Sequence, residues 1–381
     1  MYYDTIENRY AYILKVLTND PNLKPSMEDL DDCKSSFNIL KVMKNIKPRI
    51  KYVSSGGYGH TFHGFNTDDP TNPINYALKV VAYSKKYPDI DDPNRPENAE
   101  LRMIKLLGKL VLEKQTPHLV LPITIFNSSI HHFLNINLKD EKRYMKFVNN
   151  YKNGHFHEEV SILINEWADR GDLLKYLRKN IKHLTTRMWK VLMFQLISCL
   201  ATIHTRFPNF RHNDLKANNI LVQKLNPTTN SKIFHYHIGD QNYYVPSIGI
   251  MLKIWDFDFA CIKGVVDNHK VEEPYFLERG NISSKRQQYY DLHYFLNTVG
   301  KPGFVDCFYD TIPKEFEEFI HRVVPPEYRD PNSGYVAEKG RLLVDTEYTT
   351  PKEIIEKDPF FAEFRIDADV MDTITQAPTQ I

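Results

Sequence analysis

Apolar residues recur along this chain with two spacings, one typical of helices and one typical of strands. In residues 186–206 the apolar positions step by three and four, which predicts a helix with one buried stripe. That stripe consists of Trp189, Leu192, Leu196, Cys199 and Ile203. In residues 51–65 apolar and polar residues alternate on both sides of a glycine-rich turn, which predicts two strands joined by a hairpin.

Further elements follow from the same two spacings. We predict helical segments within residues 5–50, strands at 76–81, 119–126 and 160–167, and a helix at 97–114. Two long stretches interrupt this series, residues 127–159 and 223–249, and the second has the pattern of a hairpin.

The composition excludes several classes of protein. The 381 residues carry 49 basic and 48 acidic side chains, so bulk charge gives no reason to expect nucleic acid as a partner. Four scattered cysteines without a Cys-x-x-Cys pair argue against a disulfide framework or a zinc site. They suit a reducing compartment, and we expect a cytoplasmic location. No apolar run approaches membrane-spanning length, so we expect no transmembrane segment.

The polar loop at residues 209–222 carries the clearest chemical signal. Asp214 could accept the proton of a hydroxyl that attacks phosphorus, and Lys216 could offset the charge of the phosphoryl group in transfer. The amide oxygen of Asn219 is a hard ligand, suited to a divalent metal that bridges phosphates.

This loop resembles the catalytic loop of protein kinases, His-Arg-Asp-Leu-Lys-x-x-Asn, with Asn213 in the place of the arginine. The resemblance implies that Asp214 and Lys216 are catalytic and that Asn219 binds metal. Asp256, which ends an apolar strand and precedes Phe257 and Asp258, is similar to the metal-binding aspartate of Asp-Phe-Gly. The implied cofactors are ATP and Mg²⁺ or Mn²⁺.

The preceding residues resemble the nucleotide-binding part of the same family. The glycine-rich turn is similar to the kinase loop whose amides approach the ATP phosphates; its candidate residues are Ser54, Ser55, Gly56, Gly57, Gly59 and Thr61. Ser54 stands where the first glycine is usual, and Thr61 stands where an apolar residue normally covers the base. Lys79 would contact the α- and β-phosphates, with Glu100 as its partner and Glu97 as the alternative.

Residues 162–173 resemble the kinase hinge. The resemblance implies that adenine binds to free backbone groups near Glu166 and Ala168. Asp172 would accept a hydrogen bond from a ribose hydroxyl, cap the following helix, or do both.

The resemblance covers residues 51–365 and implies a bilobal α+β fold, with a small antiparallel sheet in the N-lobe and a mainly helical C-lobe. The expected parts are an N-terminal helical extension (1–50), an N-lobe (51–167, with insertion 127–159), a C-lobe (168–366, with insertion 223–249) and a tail (367–381). Residues 290–299 would form the central C-lobe helix, where Asp291 accepts bonds from catalytic-loop amides. The implied substrates are ATP and Ser or Thr hydroxyls of proteins, whereas nothing indicates the oligomeric state.

Three departures from the family pattern carry predictions. Because Asn213 replaces the arginine that pairs with a phosphorylated activation loop in many kinases, we expect activity without that phosphorylation. Because Asp258 replaces a glycine, we expect the flip of Phe257 to be disfavoured. The resemblance places the activation segment at residues 261–290; no Ala-Pro-Glu is evident there, and Glu278 is the candidate for its ion-pair role.

Two alternative functions remain at this point. Small-molecule kinases of the choline or aminoglycoside type also use His-x-Asp-x-x-x-x-Asn, although Lys216 favours a protein Ser/Thr kinase. A pseudokinase scaffold would explain Ser54, Asn213 and Asp258, but every charged group of the reaction is present. Within the superfamily, the motifs most resemble divergent Ser/Thr kinases of large DNA viruses, such as the poxvirus virion-assembly kinase.

Overall fold

A computed structural model describes most of the chain and divides it into two compact units. The described residues are 6–17, 36–46, 49–55, 59–66, 74–136, 142–227, 232–345, 348–365 and 379–380. Apart from the first six residues, the first unit contains residues 7–109 and 120–167, and the second contains residues 110–119 and 168–381.

The first unit is built on an antiparallel sheet of five strands in the order β1-β2-β3-β5-β4. Its elements are α1 (Ile6–Leu17), α2 (Ile39–Ile46), β1 (Arg49–Ser55), β2 (Gly59–Asn66), β3 (Ile74–Ser84), α3 (Pro96–Leu112), β4 (Pro122–Ser129), α4 (Lys142–Lys152) and β5 (Phe156–Glu166). The last residues of α3 already belong to the second unit.

Strand β3 shows why the sheet has one buried face. Tyr76, Leu78, Val80 and Ala82 alternate along it and are at most 2% exposed, which is the two-residue period of a strand packed on a core. Leu78 and Val80 lie opposite Ile164 and Ile162 on β5, which are also buried. Lys79 falls on the other face, so the run of apolar residues does not force its charge into the core.

Helix α1 packs on this unit through polar as well as apolar contacts. Arg9 forms a buried ion pair with Glu166 at the end of β5, and the Tyr12 hydroxyl bonds to the main chain of Asn75. The sequence predicted a helix here but gave no partner for it.

The stretch between β4 and β5 is more structured than its polar sequence suggested. Both strands extend further into it than predicted, and α4 adds a small aromatic cluster in which Tyr144 and Phe147 pack against His60 of β2. Residues 137–141 of this stretch lie outside the described part of the chain.

The second unit is mainly helical, as the resemblance implied. Its elements are α5 (Leu173–Asn180), α6 (Thr186–Arg206), β6 (Phe210–Arg211), β7 (Ile220–Lys224), β8 (Ile233–Ile238), β9 (Gln241–Pro246), β10 (Ile250–Ile254), β11 (Cys261–Ile262), α7 (Pro274–Gly280), α8 (Tyr290–Val299), α9 (Phe308–Thr311), α10 (Lys314–Val323), α11 (Pro351–Lys357) and β12 (Thr379–Gln380).

Helix α6 has the predicted bounds and lies in the core of this unit. All five residues of its predicted stripe are at most 1% exposed, and Thr185 caps its first turn by accepting from Met188 N–H. Contrary to our expectation from the sequence, α6 is long and apolar enough to cross a membrane by length and composition. However, 78% of that apolar window is buried inside the protein, as in an ordinary core helix.

The predicted hairpin in residues 223–249 is confirmed as β8 and β9, which pair antiparallel. Its aromatic residues pack on α6, where the rings of Tyr236 and Tyr243 lie 5.1 and 5.3 Å from that of Phe194. The hydroxyl of Tyr236 also lies 3.0 Å from Nε2 of the buried His118. The hairpin is therefore part of the core of the second unit.

Candidate active site

The catalytic loop is held in place by hydrogen bonds to the first turn of α8. Asp291 is fully buried, and its carboxylate accepts from the N–H groups of His212 (2.7 Å) and Asn213 (2.8 Å). Burial raises the pKa of Asp291, although His212 and the two amide bonds oppose the shift. These contacts confirm the expectation that Asp291 accepts bonds from catalytic-loop amides.

The three candidate residues of the loop itself lie together. Lys216 Nζ donates to Asp214 Oδ2 at 2.7 Å, and the Asn219 amide nitrogen donates to the same oxygen at 3.0 Å. Asn219 also donates to the main-chain oxygen of Asp214 at 2.9 Å. Because the amide nitrogen is turned toward Asp214, the amide oxygen of Asn219 is the atom that could ligate a metal.

A paired ribbon brings Asp256 to the same end of the unit as Asn219. Strands β7 and β10 pair antiparallel with Ile220 opposite Ile254, and the N–H of Trp255 donates to the main-chain oxygen of Asn219 at 3.2 Å. Asn219 directly precedes one strand and Asp256 closely follows the other. A carboxylate and an amide oxygen form a donor set that fits Mg²⁺, which normally completes its octahedron with water and phosphate oxygens.

No larger metal-binding cluster exists in the described part of the chain. Within it, no three His, Cys, Asp or Glu side chains are grouped so that they could hold a metal ion by themselves. A metal held by Asp256 and the Asn219 amide oxygen would take its remaining ligands from phosphate oxygens and water.

The residues after Asp256 are held in one conformation. Asp256 has φ +65°, a region that aspartate tolerates better than most residues, and Phe257 is buried with its ring 5.3 Å from that of His212. Asp258 forms an ion pair with Lys270. That the flip of Phe257 is disfavoured stays a prediction. The Asp258–Lys270 ion pair is one contact that would oppose the flip.

Asn213 bonds to Phe259, just before the activation segment, and to Ser283 near its end. Its amide nitrogen donates to the main-chain oxygens of Phe259 and Ser283, each at 3.1 Å, and its amide oxygen accepts from Ser283 N–H at 3.3 Å. Asn213 is fully buried. The neutral amide of Asn213 thus connects the catalytic loop to the activation segment. In many kinases an arginine and a phosphorylated residue make this connection.

Glu278 does not take the ion-pair role that we expected of it. It is exposed, and no ion pair involving it occurs within the described ranges. The end of the activation segment is held instead by Arg211, which donates to Ser283 Oγ (2.8 Å) and to the Asn281 oxygen (2.6 Å). Arg211 also stacks on Tyr290 at 3.8 Å.

An unexpected residue, Arg341, contacts the candidate base. Its Nη2 donates to Asp214 Oδ1 at 2.5 Å, and its Nη1 donates to the main-chain oxygen of Asn213. The chain separation of 127 residues explains why no local motif indicated it.

In the first unit, the candidate phosphate-binding lysine is paired. Lys79 Nζ lies 2.5 Å from Glu100 Oε1, with the two side chains 13% and 7% exposed. The alternative partner, Glu97, accepts instead from Arg95 Nε at 3.0 Å. Of the two glutamates on α3, the structure therefore pairs Glu100 with Lys79.

The sheet register aligns three candidate residues across neighbouring strands. Ser54 on β1 lies opposite Thr61 on β2, which lies opposite Lys79 on β3. Residues directly opposite one another project from the same face of a sheet, so these three share one face.

The glycine-rich turn is described only in part. Gly56 and Gly57 lie outside the described residues, as does the side chain of Ser55. Gly59 begins β2, where an added Cβ would lie 3.1 Å from both the Val80 oxygen and a Val81 methyl. A larger residue at this position would require β3 to shift by a few tenths of an ångström, so packing favours glycine here.

The hinge candidates have structural partners of their own. The N–H of Glu166 donates to the Leu121 oxygen at 3.1 Å, so this one group is already bonded, and the binding of adenine to backbone groups near Glu166 and Ala168 stays a prediction. Ala168 is buried at the start of the second unit. Asp172 caps α5 by accepting from Lys175 N–H at 2.8 Å, and its contact with ribose stays a prediction.

Comparisons with known proteins agree with this arrangement. Residues 49–273 match the model of the protein kinase domain. A protein of Acanthamoeba polyphaga mimivirus named "Putative serine/threonine-protein kinase R400" is 43% identical over 380 residues, covering 94% of this chain and 80% of that protein. A second mimivirus protein, "Putative serine/threonine-protein kinase R301", is 25% identical over 232 residues, or 51% of this chain and 57% of that protein.

These similarities confirm the expected resemblance to kinases of large DNA viruses, and a protein kinase model argues against the small-molecule kinase alternative. They also agree with the bilobal α+β expectation and with an enzyme that uses ATP. The match spans more than half of the chain, and it includes Lys79, Glu100, Asp214, Asn219 and Asp256. The chain belongs to the protein kinase family.

Proposed function

We propose that this protein transfers the γ-phosphate of ATP, bound with Mg²⁺ or Mn²⁺, to Ser and Thr hydroxyls of protein substrates. The observation that carries the proposal is the Asp214 carboxylate with Lys216 2.7 Å from one of its oxygens. A lysine two residues after the base is the pattern of protein Ser/Thr kinases. The printed names of both mimivirus relatives support the same substrate class.

The residues of the candidate active site have separate roles in this proposal. Asp214 orients the substrate hydroxyl and accepts its proton, while the hydroxyl oxygen bonds to the γ-phosphorus and the bond to the leaving ADP oxygen breaks. Lys216 holds the γ-phosphoryl group, and Lys79, fixed by Glu100, binds the α- and β-phosphates. Asp256 and the Asn219 oxygen would hold the metal, which supplies positive charge to the phosphates. Most of the acceleration then comes from positioning and charge stabilisation.

The test is phosphoryl transfer from labelled ATP by the purified protein, with casein-like protein, choline and amino sugars offered in parallel. We expect label in protein, on phosphoserine and phosphothreonine after acid hydrolysis, and only when Mg²⁺ or Mn²⁺ is added. Asp214→Asn keeps the size of the side chain and removes the base, so it should lose transfer while still binding ATP.

Two outcomes would contradict the proposal. Label found only in the small molecules would favour a choline- or aminoglycoside-type kinase. Wild-type protein that transfers no more label than the Asp214→Asn variant would favour a pseudokinase scaffold.

A further inference from the structure

Residues 330–345, which we call the Arg341 loop, reach the catalytic loop of the second unit. Arg341 bonds to both the carboxylate of Asp214 and the main chain of Asn213. Its guanidinium also lies over the Tyr294 ring at 4.1 Å, and its side chain is only 15% exposed. One arginine therefore holds the side chain of the base and the main-chain oxygen of the residue before it at the same time.

The two neighbours of Arg341 in this loop fix the position of its side chain. Gly340 has φ +88°, and an added Cβ there would lie 3.1 Å from the Asn297 Cβ, so only glycine fits the turn without strain. On the other side of Arg341, Leu342 is fully buried and packs with Tyr289 and Tyr290. The arginine thus stands between two fixed neighbours, which lowers the entropy cost of holding its long side chain.

A glycine on α7 leaves room for the arginine. A Cβ added to Gly280 would lie 2.6 Å from Arg341 Cδ, closer than any real contact of that kind. Gly280 is not in the left-handed region, so alanine is acceptable there for the backbone alone. The position can therefore be used to displace Arg341 without changing it.

A second anchor ties the same loop to the end of the activation segment. Asp345 accepts from Gln287 Nε2 at 2.8 Å and from Asn281 Nδ2 at 3.1 Å, and it lies 2.6 Å from Lys285 Nζ. Through Arg341 and Asp345, the loop connects the activation segment to the base, while among the described residues Glu278 forms no ion pair in the place of Ala-Pro-Glu.

The contact with Arg341 leaves Asp214 able to act as a base. An ionised carboxylate offers about four acceptor positions. In the described structure Oδ2 receives Lys216 and Asn219, whereas Oδ1 receives Arg341. A position on Oδ1 remains for a substrate hydroxyl, so the arginine orients the carboxylate without displacing the substrate.

Resting on the proposed function, we propose that Arg341 is a positioning residue for phosphoryl transfer. It holds the Asp214 carboxylate in the orientation that accepts the substrate proton, whereas Arg211, the arginine within the catalytic loop, bonds to Ser283 and Asn281 instead.

The test compares Arg341→Ala, Arg341→Lys and Gly280→Ala with wild type by steady-state kinetics. Losing one charge-assisted hydrogen bond predicts a fall in kcat of about 10- to 100-fold for Arg341→Ala. KM for ATP should change less than about 2-fold, because Arg341 does not itself contact any residue proposed to bind ATP or its metal. Asp214 lies between Arg341 and two of those residues, Lys216 and Asn219. Arg341→Lys keeps the charge but not the planar fork, so it should fall between wild type and Arg341→Ala.

Two further measurements separate positioning from folding. Millimolar methylguanidinium should restore part of the kcat of Arg341→Ala, because the cavity left by the side chain faces Asp214; a purely structural defect would not respond. Gly280→Ala should lower kcat in the same way while retaining the arginine. The control is Lys339→Ala, which removes an exposed cation from the same turn and should leave kcat unchanged.

The outcomes are distinguishable. If wild type is inactive, the proposed function itself fails. If wild type is active and Arg341→Ala has unchanged or higher kcat, or loses ATP affinity in proportion to kcat with no response to methylguanidinium, the positioning role is wrong. A rise in kcat would identify the contact as inhibitory instead.

Discussion

Replacing Arg9 by Met should strongly destabilise the first unit. Arg9 Nη2 donates to Glu166 Oε1 at 2.5 Å, and Arg9 Nε donates to Oε2 at 3.1 Å. The two side chains are 1% and 8% exposed, so solvent screens this pair little. Removing one partner of a buried pair leaves an uncompensated charge and costs about 3–5 kcal/mol.

The same contact predicts a compensating second change. Glu166 Oε1 also accepts from Leu121 N–H at 2.8 Å, and a glutamine would keep an oxygen for that bond. Arg9→Met combined with Glu166→Gln removes both charges of this pair, so it should lose only about 1–3 kcal/mol, the cost of unsatisfied polar groups. The double variant is therefore expected to be more stable than Arg9→Met alone.

Urea titration measures the free energy of unfolding, and hydrogen exchange of peptides from β5 assigns the loss to the first unit. Arg49→Met, which removes an exposed arginine from β1, is the control and should stay within about 0.5 kcal/mol of wild type. The reasoning is refuted if Arg9→Met costs less than about 1 kcal/mol, or if the double variant is the less stable of the two.

The remaining predictions concern the activation segment, the paired lysine and acid stability. Because neutral Asn213 already bonds to Ser283, phosphatase treatment should leave kcat unchanged, and a large loss of activity would contradict this role. Glu100→Gln weakens the hold on Lys79, so kcat/KM for ATP should fall about 10-fold; an unchanged value would exclude a role for the pair in binding ATP. Burial lowers the pKa of His293 to about 3, against 6.5 when exposed, so the unfolded state takes up this proton first as the pH falls. Wild type should therefore lose about 2 kcal/mol more than His293→Gln between pH 7 and pH 5 in urea titrations, and equal losses would show that His293 is not the group responsible.

The sequence alone determined the elements whose pattern is local. The three- and four-residue spacing of residues 186–206 gave the bounds of α6, because a single buried stripe needs only consecutive turns of one helix. The alternation along residues 51–65 predicted β1 and β2 for the same reason. Asp214, Lys216 and Asn219 were identified together because a phosphoryl-transfer loop carries its groups within a few residues.

Only the tertiary structure decided which distant side chains complete these elements. The sequence put Glu100 ahead of Glu97 without excluding either, and the packing of α3 beside β3 pairs Glu100 with Lys79 and leaves Glu97 to Arg95. Arg341 meets Asp214 across 127 positions, and Arg9 meets Glu166 across 157. Such contacts depend on the paths of the loops between the elements, and the periodicity of a helix or strand contains no information about those paths.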